Sequence, residues 1–303
     1  IIKRNITIIK GDSATGKTTL YEMIESYEND TLSSGVTIAC DVSITTLSGP
    51  RWLENLEMIS NSIVFIDEGN QFLKTDEFSK AALNSSNYFV ITTRDYLTNM
   101  PYSVDEIYGI KTSGKYAGIE KTYHEFSRIY DESTKKVSAS SIVKVLVEDS
   151  NSGYEFFKEY FANKGGFEVL SMEGKSNIPV YLDSQRNEEN LVIADGAAFG
   201  CEMEKIHMLN KANLNIMLYL PESFEWILLS SDLFNNGEVK KILEAPENFI
   251  ESEEYASWER YFYWLIRELS KDTFLEYRKE KINENYLKGG VFEKIKMFIG
   301  LSI

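Results

Sequence analysis

Residues 11–18 read Gly-Asp-Ser-Ala-Thr-Gly-Lys-Thr. Two glycines, a lysine and a hydroxyl residue stand there in the pattern G-x-x-x-x-G-K-[ST], which few backbone arrangements accommodate. The run Ile6–Ile9 ahead of it is apolar and β-branched, and Lys17–Tyr27 behind it has helical spacing. The segment therefore predicts strand, tight loop and helix in immediate succession. Such a loop turns successive backbone N–H groups inward and makes a nest for a phosphate. The start of the helix adds its positive end. Lys17 can place a charge between outer phosphates, and the Thr18 hydroxyl can take a place on Mg²⁺. From average residue usage the four fixed positions match by chance at roughly one site in 10⁴–10⁵.

A second pattern supports the first. Ser62-Ile-Val-Phe-Ile-Asp67-Glu68 is an apolar run, suited to a buried strand, that ends in two carboxylates. With the glycine loop it resembles the Walker A and Walker B pair of P-loop NTPases, in the ATPase branch that carries an additional strand and a catalytic glutamate. The resemblance covers residues 5–110. It implies a parallel sheet flanked by helices, with ATP and Mg²⁺ bound. Gly11, Ser13, Ala14, Thr15, Gly16, Lys17, Thr18 and Thr19 would contact the nucleotide, and Lys17 would also act in catalysis. Asp67 would hold Mg²⁺ opposite Thr18, and Glu68 would polarise the attacking water. A general base beside a metal has to stand at a strand tip, close to the γ-phosphate but not on it, and Glu68 meets that demand. At the next strand tip, Thr92, with Thr93 as substitute, would sense the γ-phosphate. Arg94 would be a catalytic arginine in cis or a finger offered to a second copy in a homo-oligomer; its other reading is a surface ion pair with Asp95 or Asp105.

Inside the same stretch, Asp67-Glu68-Gly69-Asn70-Gln71-Phe72 resembles the Asp-Glu-Gly-Gln-Phe segment of thymidine kinases with one residue inserted. In that family the glutamate takes a proton from a nucleoside hydroxyl. Those kinases carry a cysteine zinc lasso after the P-loop domain, and nothing equivalent follows here. With Cys40, Cys201, His124 and His207 as the chain's whole supply of such ligands, a zinc centre and a disulfide scaffold are both disfavoured. The guanine-reading Asn-Lys-x-Asp run is absent from the sequence, which favours ATP.

A length of 303 residues suggests two domains at about 150 residues each. Through residue 130 the pattern alternates as βαβ units do, predicting an α/β domain with a parallel sheet. Its expected strands are Ile6–Ile9, Val36–Ala39, Ile63–Ile66, Tyr88–Ile91 and Glu106–Lys111. Its expected helices are Lys17–Tyr27, Trp52–Ser60 and Asp76–Leu83. Gly118–Tyr130 reads as a strand or hairpin, and the polar Asp131–Ser141 as a linker. From 142 to 303 a second α/β domain with a helical C-terminus is expected. Its strands are Ile142–Val147, Phe167–Ser171, Leu191–Ala194 and Asn215–Leu220, and its early helices Tyr154–Asn163 and Glu202–Leu209. The closing helices are Ser252–Leu269, capped by Ser252, then Lys271–Tyr286 and Val291–Phe298. Tyr255, Trp258, Tyr261, Phe262 and Leu265 make one helix face, read as packing ahead of partner binding or base stacking.

In this second half, Val145-Leu-Val-Glu148-Asp149 and Leu191-Val-Ile-Ala-Asp195-Gly-Ala197-Ala-Phe-Gly200 are strands that end in carboxylates. Together they resemble a Toprim domain, the metal-dependent fold of topoisomerases, primases and overcoming-lysogenization-defect nucleases. That family has a Glu after its first strand and Asp-x-Asp-x-x-Gly after a later one. Glu148, Asp195 and Gly200 stand in the matching places, and the resemblance implies a second metal site on Glu148 and Asp195. Ala197 occupies the second aspartate position, which leaves the site short of a carboxylate unless Glu202 or Glu204 compensates. The alternative is another α/β domain whose strand tips are acidic.

Charge narrows the partners. Thirty-two basic residues face 47 acidic ones, a net charge of −15. The surface as a whole repels nucleic acid, although a local basic groove is compatible with that balance. No apolar run approaches the ~20 residues of a membrane span, so a cytoplasmic location without a membrane partner is expected. The reading that gathers these features is an Mg²⁺-dependent ATPase. Its hydrolysis would control an appended regulatory or nucleic-acid-related domain, an arrangement similar to bacterial antiphage and mobile-element systems. A nucleoside or nucleotide kinase, and a nucleotide-gated binding module without turnover that engages a protein partner, are the alternatives.

Overall fold

The computed structural model of the chain describes residues 2–11, 16–111, 125–130, 142, 144–162, 164–185, 188–212, 216–234, 236–250, 254–255 and 257–301. Ser13, Ala14, Thr15, His124, Ser252 and the 131–141 linker lie outside the described residues. The chain divides into two compact units, residues 1–130 with 251–257, and residues 131–250 with 258–303. Both are α/β.

In the first unit the elements run β1 (Ile6–Lys10), α1 (Lys17–Asn29), β2 (Ser43–Thr46), α2 (Trp52–Glu57), β3 (Ser62–Ile66), α3 (Asp76–Leu83), β4 (Tyr88–Thr93), β5 (Ile107–Lys111) and β6 (Glu125–Arg128). The sheet order is β2-β3-β4-β1-β5-β6. The first five strands are parallel, and β6 returns antiparallel beside β5. Strand β4 thus stands between β1 and β3. The central strands are apolar on both faces because helices cover both. On one face Ile9, Phe65 and Val90 pack with Tyr21 and Ile24 of α1. Elsewhere Trp52 stacks on Phe72 with ring centroids 5.0 Å apart, and Phe78 meets Phe89 edge-on at 5.8 Å. Helix α3 has the bounds its sequence predicts: the Thr75 hydroxyl accepts from the Phe78 N–H at 3.2 Å, and Asp76 and Glu77 follow in the first turn.

The second strand corrects the sequence expectation. Val36–Ala39 is not a strand; Ser43–Thr46 is. Ile38 packs against the core from a loop, while the polar Ser-Ile-Thr-Thr run pairs with β3 at the sheet edge. An edge strand needs no continuous apolar run, because it has one strand neighbour and partial cover. Glu28 of α1 secures it, accepting from the Thr46 N–H at 2.9 Å and the Thr46 hydroxyl at 2.8 Å.

The second unit contains β7 (Lys144–Val147), α4 (Ser152–Ala162), β8 (Glu168–Ser171), α5 (Asn177–Ser184), β9 (Asn190–Ile193), α6 (Met203–Lys211), β10 (Ile216–Tyr219), α7 (Phe224–Ser230), α8 (Gly237–Glu244), α9 (Trp258–Ser270) and α10 (Gly289–Ile299). Its four strands are all parallel in the order β10-β9-β7-β8. An aromatic cluster joins helices to sheet: Phe156 lies 5.4 Å from Phe224 and 5.5 Å from Phe292, centroid to centroid. Trp258, Tyr261, Phe262 and Leu265 are buried along α9, so this face packs inside the unit.

Two of the three expected closing helices are corrected. Helix α9 starts at Trp258 and ends at Ser270, and Asp272 turns left-handed just beyond it, φ 57°. Residues 271–283 are turns and loop, and a 3₁₀ turn, Glu284–Leu287, follows. Their backbone donors find partners elsewhere in the unit: the Tyr277 N–H donates to Ser270 Oγ at 2.9 Å, and the Ile282 N–H to Glu155 Oε2 at 2.8 Å. The Lys279 carbonyl accepts from the Ser152 N–H at 3.2 Å. Tertiary bonds here displace a weak local helical preference. Helices α5 and α7 have no counterpart in the elements named from the sequence, whereas α8 falls where the pattern is helical from about residue 238 onward.

One glycine fixes a close approach at the tip of β9. The Gly196 N–H donates to the Pro221 carbonyl at 2.6 Å, and a Cβ built on Gly196 would lie 2.8 Å from the Leu220 carbonyl oxygen and 2.9 Å from that of Pro221. Both obstacles are backbone. Gly196→Ala should therefore destabilise the unit by about 1–3 kcal/mol, read as a lower urea midpoint at unchanged slope. A midpoint equal to wild type would contradict the close approach.

Candidate functional site

Parallel pairing places the ends of β1, β3 and β4 on one edge of the first sheet. Register matches Lys10 with Thr93 and Ile66 with Ile91, so the loop that leaves β1 starts beside Thr93, and Asp67 lies level with Thr92. Gly16 closes the loop in a left-handed conformation, φ 92°, directly before α1. Only glycine holds that conformation without strain. Lys17 is 4% exposed, and its Nζ donates to the Gly11 carbonyl, bridging the two ends of the loop. Thr18 and Thr19 are exposed in the first turn of α1.

At the neighbouring tips, Thr92 is 1% exposed and its Oγ1 donates to Asp67 Oδ1 at 2.6 Å. That length fits a hydroxyl bonded to a carboxylate. The bond fixes the Asp67 rotamer and leaves Oδ2 for another partner. Thr93 spends its hydroxyl locally: it donates to the Asp95 carbonyl and accepts from the Asp95 N–H, both at 3.0 Å. Arg94 pairs with neither Asp95 nor Asp105 but with Glu68, Nε to Oε1 at 2.8 Å. Asp95 pairs instead with Lys74 at 2.7 Å, and that hydrogen bond and charge hold its carboxyl below the usual range. Glu68 Oε2 has no hydrogen-bond partner among the described residues. Glu68, Lys74, Thr93, Arg94 and Asp95 border a cavity of about 240 Å³.

The second unit repeats the principle with different chemistry. Glu148 follows β7 and Asp195 follows β9, adjacent parallel strands, and the two residues meet: the Asp195 N–H donates to Glu148 Oε2 at 3.1 Å. Both border a cavity of about 310 Å³, together with Glu225 of α7, Glu259 of α9, and Tyr277 and Lys279 of the 271–286 segment. Glu225 is 2% exposed and accepts from the Tyr277 hydroxyl at 2.9 Å; that hydroxyl also lies 3.0 Å from Ser152 Oγ. Lys279 Nζ pairs with Glu259 Oε1 at 2.8 Å. Asp149 also borders the cavity, and it accepts from the N–H groups of Asn151 and Gly153 and so caps α4.

Burial pushes the carboxyls of Glu148 and Glu225 above the usual range, and Asp195 well above it. The charges of Glu259, Glu148 and Glu225 reinforce the rise at Asp195, and Lys279 opposes it. Glu202 and Glu204 do not border the cavity; Glu202 is buried and pairs with Lys205 at 3.0 Å. Among the described residues, no three His, Cys, Asp or Glu side chains are grouped to hold a metal ion.

Comparison of the chain with protein families, with curated proteins and with solved structures gives no match in any of the three. The chemistry therefore rests on the geometry. Glu225, Glu259, Tyr277 and Lys279 are the site residues that sequence patterns miss. They come from three separate elements, and Lys279 lies in a stretch whose spacing suggests a helix.

Raised carboxyl pKa values set a sign for the pH dependence. A carboxyl whose folded pKa lies above its unfolded one adds stability below the unfolded value, and loses it as pH rises through the folded value. Unfolding midpoints should therefore be higher at pH 5 than at pH 8. Asp195→Asn, which cannot ionise, should narrow that difference. An unchanged difference would show that Asp195 is ionised across the whole window.

Proposed function

We propose that the first unit is a Mg²⁺-dependent, ATP-hydrolysing P-loop domain. The observation that carries this reading is the shared strand edge. There the glycine loop with Lys17 opens beside β4, and Asp67, held by Thr92, stands across β4 on β3. The order β3-β4-β1 supports the additional-strand ATPase branch, since the strand bearing Asp67 and Glu68 is separated from the loop strand by β4.

The residues present fit a magnesium nucleotide. Gly16 has the backbone freedom that a phosphate nest demands, and α1 is long enough to present its positive end. Lys17 already donates to a carbonyl at the loop mouth, an acceptor position that an outer phosphate can take over. Thr18 and the free oxygen of Asp67 are oxygen ligands of the type Mg²⁺ prefers. Bound Mg²⁺ would neutralise charge developing on the phosphates. Glu68 supplies the base: its Oε2 accepts a hydrogen bond from the attacking water and takes its proton. Thr92 acts through Asp67 as a positioning residue. The second unit is the module whose state this hydrolysis would control.

The Glu68–Arg94 ion pair favours a second reading, a nucleotide-gated switch. Arg94 occupies the carboxylate that hydrolysis needs, and its side chain is 55% exposed, so it can leave that position.

Phosphate release from ATP with Mg²⁺ tests the main reading. Glu68→Gln should lower turnover about 10²–10⁴-fold while nucleotide still binds, and Lys17→Ala should abolish binding. Unchanged release in both variants sinks the hydrolase. Label passing to a small acceptor in place of inorganic phosphate would mark a kinase instead. Thr92→Val should raise the Mg²⁺ needed for half-maximal rate more than it lowers the maximal rate; the reverse split would give Thr92 direct contact with the phosphate. Arg94→Ala separates the two roles of Arg94. Turnover rises if Arg94 restrains Glu68, and falls by about 10³-fold or more if it stabilises phosphoryl charge.

A further inference from the structure

The carboxylate cavity of the second unit carries its own cation. Six acidic residues, Glu148, Asp149, Glu173, Asp195, Glu225 and Glu259, border it, and Lys279 reaches it from the 271–286 segment. Lys279 Nζ lies 2.8 Å from Glu259 Oε1. We infer that Lys279 is the built-in counter-ion of this cavity and closes it to the divalent cation that the Toprim resemblance implies.

Three observations carry the inference. First, the lysine is fixed in place. Its carbonyl accepts from the Ser152 N–H, Tyr277 two residues earlier is buried with its hydroxyl between Ser152 and Glu225, and the Ile282 N–H three residues later bonds Glu155. The segment bearing Lys279 is thus tied to α4 and α7 on both sides of it. Second, the carboxylates are already engaged by protein donors: Glu148 by the Asp195 N–H, Glu225 by Tyr277 and Glu259 by Lys279 itself. Third, the ligand count falls short. Mg²⁺ demands six oxygens in near-octahedral geometry. Ala197 offers no side-chain oxygen where the resemblance expects an aspartate, and no grouping of three acidic, His or Cys residues exists among the described residues. A compact ammonium needs only a few acceptors. The charge of Glu225, followed by Glu259 and Asp195, raises the Lys279 pKa against the effect of its burial, so it stays cationic throughout the neutral range.

Mn²⁺ binding to the full chain tests this, followed by electron paramagnetic resonance without nucleotide. Asp67→Asn is present throughout, so that the first unit contributes no site. With Lys279 intact, no Mn²⁺ should bind. Lys279→Met, similar in length and uncharged, should bind Mn²⁺ detectably, as removing a competing neighbour tunes a metal site. Adding Glu148→Gln should reverse the gain, and Lys279→Arg should stay metal-free. Mn²⁺ bound to the Lys279 chain and lost in Glu148→Gln overturns the inference, as does a folded Lys279→Met variant that gains nothing. If Lys279→Met does not fold, thermal unfolding of the Asp67→Asn chain decides. A midpoint unmoved by Mn²⁺ supports the counter-ion. A rise that Glu148→Gln removes refutes it.

Discussion

In both sheets the strands that build the sites run in the same direction, so each leaves its last residue, and the loop behind it, on one edge. This single constraint brings chemistry together from distant parts of the chain. Lys10, Ile66 and Thr93 end β1, β3 and β4 side by side. The groups after them, the glycine loop, Asp67 with Glu68, and Arg94, are neighbours for that reason alone. Val147 and Ile193 do the same in the second unit, placing Glu148 against Asp195. A change that slipped one strand by a residue would swap its faces and dissolve both the core and the edge.

The two edges then diverge in how they treat charge. In the first unit, cations and carboxylates pair near solvent: Arg94 with Glu68 and Lys74 with Asp95, the last pair with both side chains more than half exposed. Such pairs contribute little to stability and can exchange partners. The second unit instead gathers its carboxyls in one cavity: the Asp195 N–H bonds Glu148, the Tyr277 hydroxyl bonds Glu225, and Lys279 pairs with Glu259. Burial there favours the protonated form of Glu148, Asp195 and Glu225.

How much of this is legible in the sequence depends on whether the cause is local. The strand and helix on either side of the glycine loop are local, so Ile6–Lys10 and Lys17–Asn29 form where the sequence predicts a strand and a helix. Helix α3 is equally plain, because Thr75, Asp76 and Glu77 mark its start. Strand β2 is not, since an edge strand held by Glu28 of another element needs no apolar signature of its own. Residues 271–286 carry helical spacing and yet lie as a run of turns that ends in a 3₁₀ turn, because Ser152, Glu155 and Ser270 take up its backbone. The cavity that segment completes was visible only as Glu148 and Asp195. Lys279 reaches it through contacts that no spacing rule encodes.

The divergence also bears on what the first edge can do when an anion reaches it. Glu68 holds one oxygen on Arg94 and presents the other without a protein donor. An anion arriving beside the loop competes for Arg94, because a phosphate is the stronger and bidentate acceptor for a guanidinium. Once Arg94 turns to it, Glu68 loses its counter-ion. Anion and Glu68 are then coupled by one shared cation, and the free energy available to that coupling is the difference between two ion pairs. A sheet edge with exchangeable pairs can carry such a switch, whereas one sealed by an internal ammonium keeps a single arrangement.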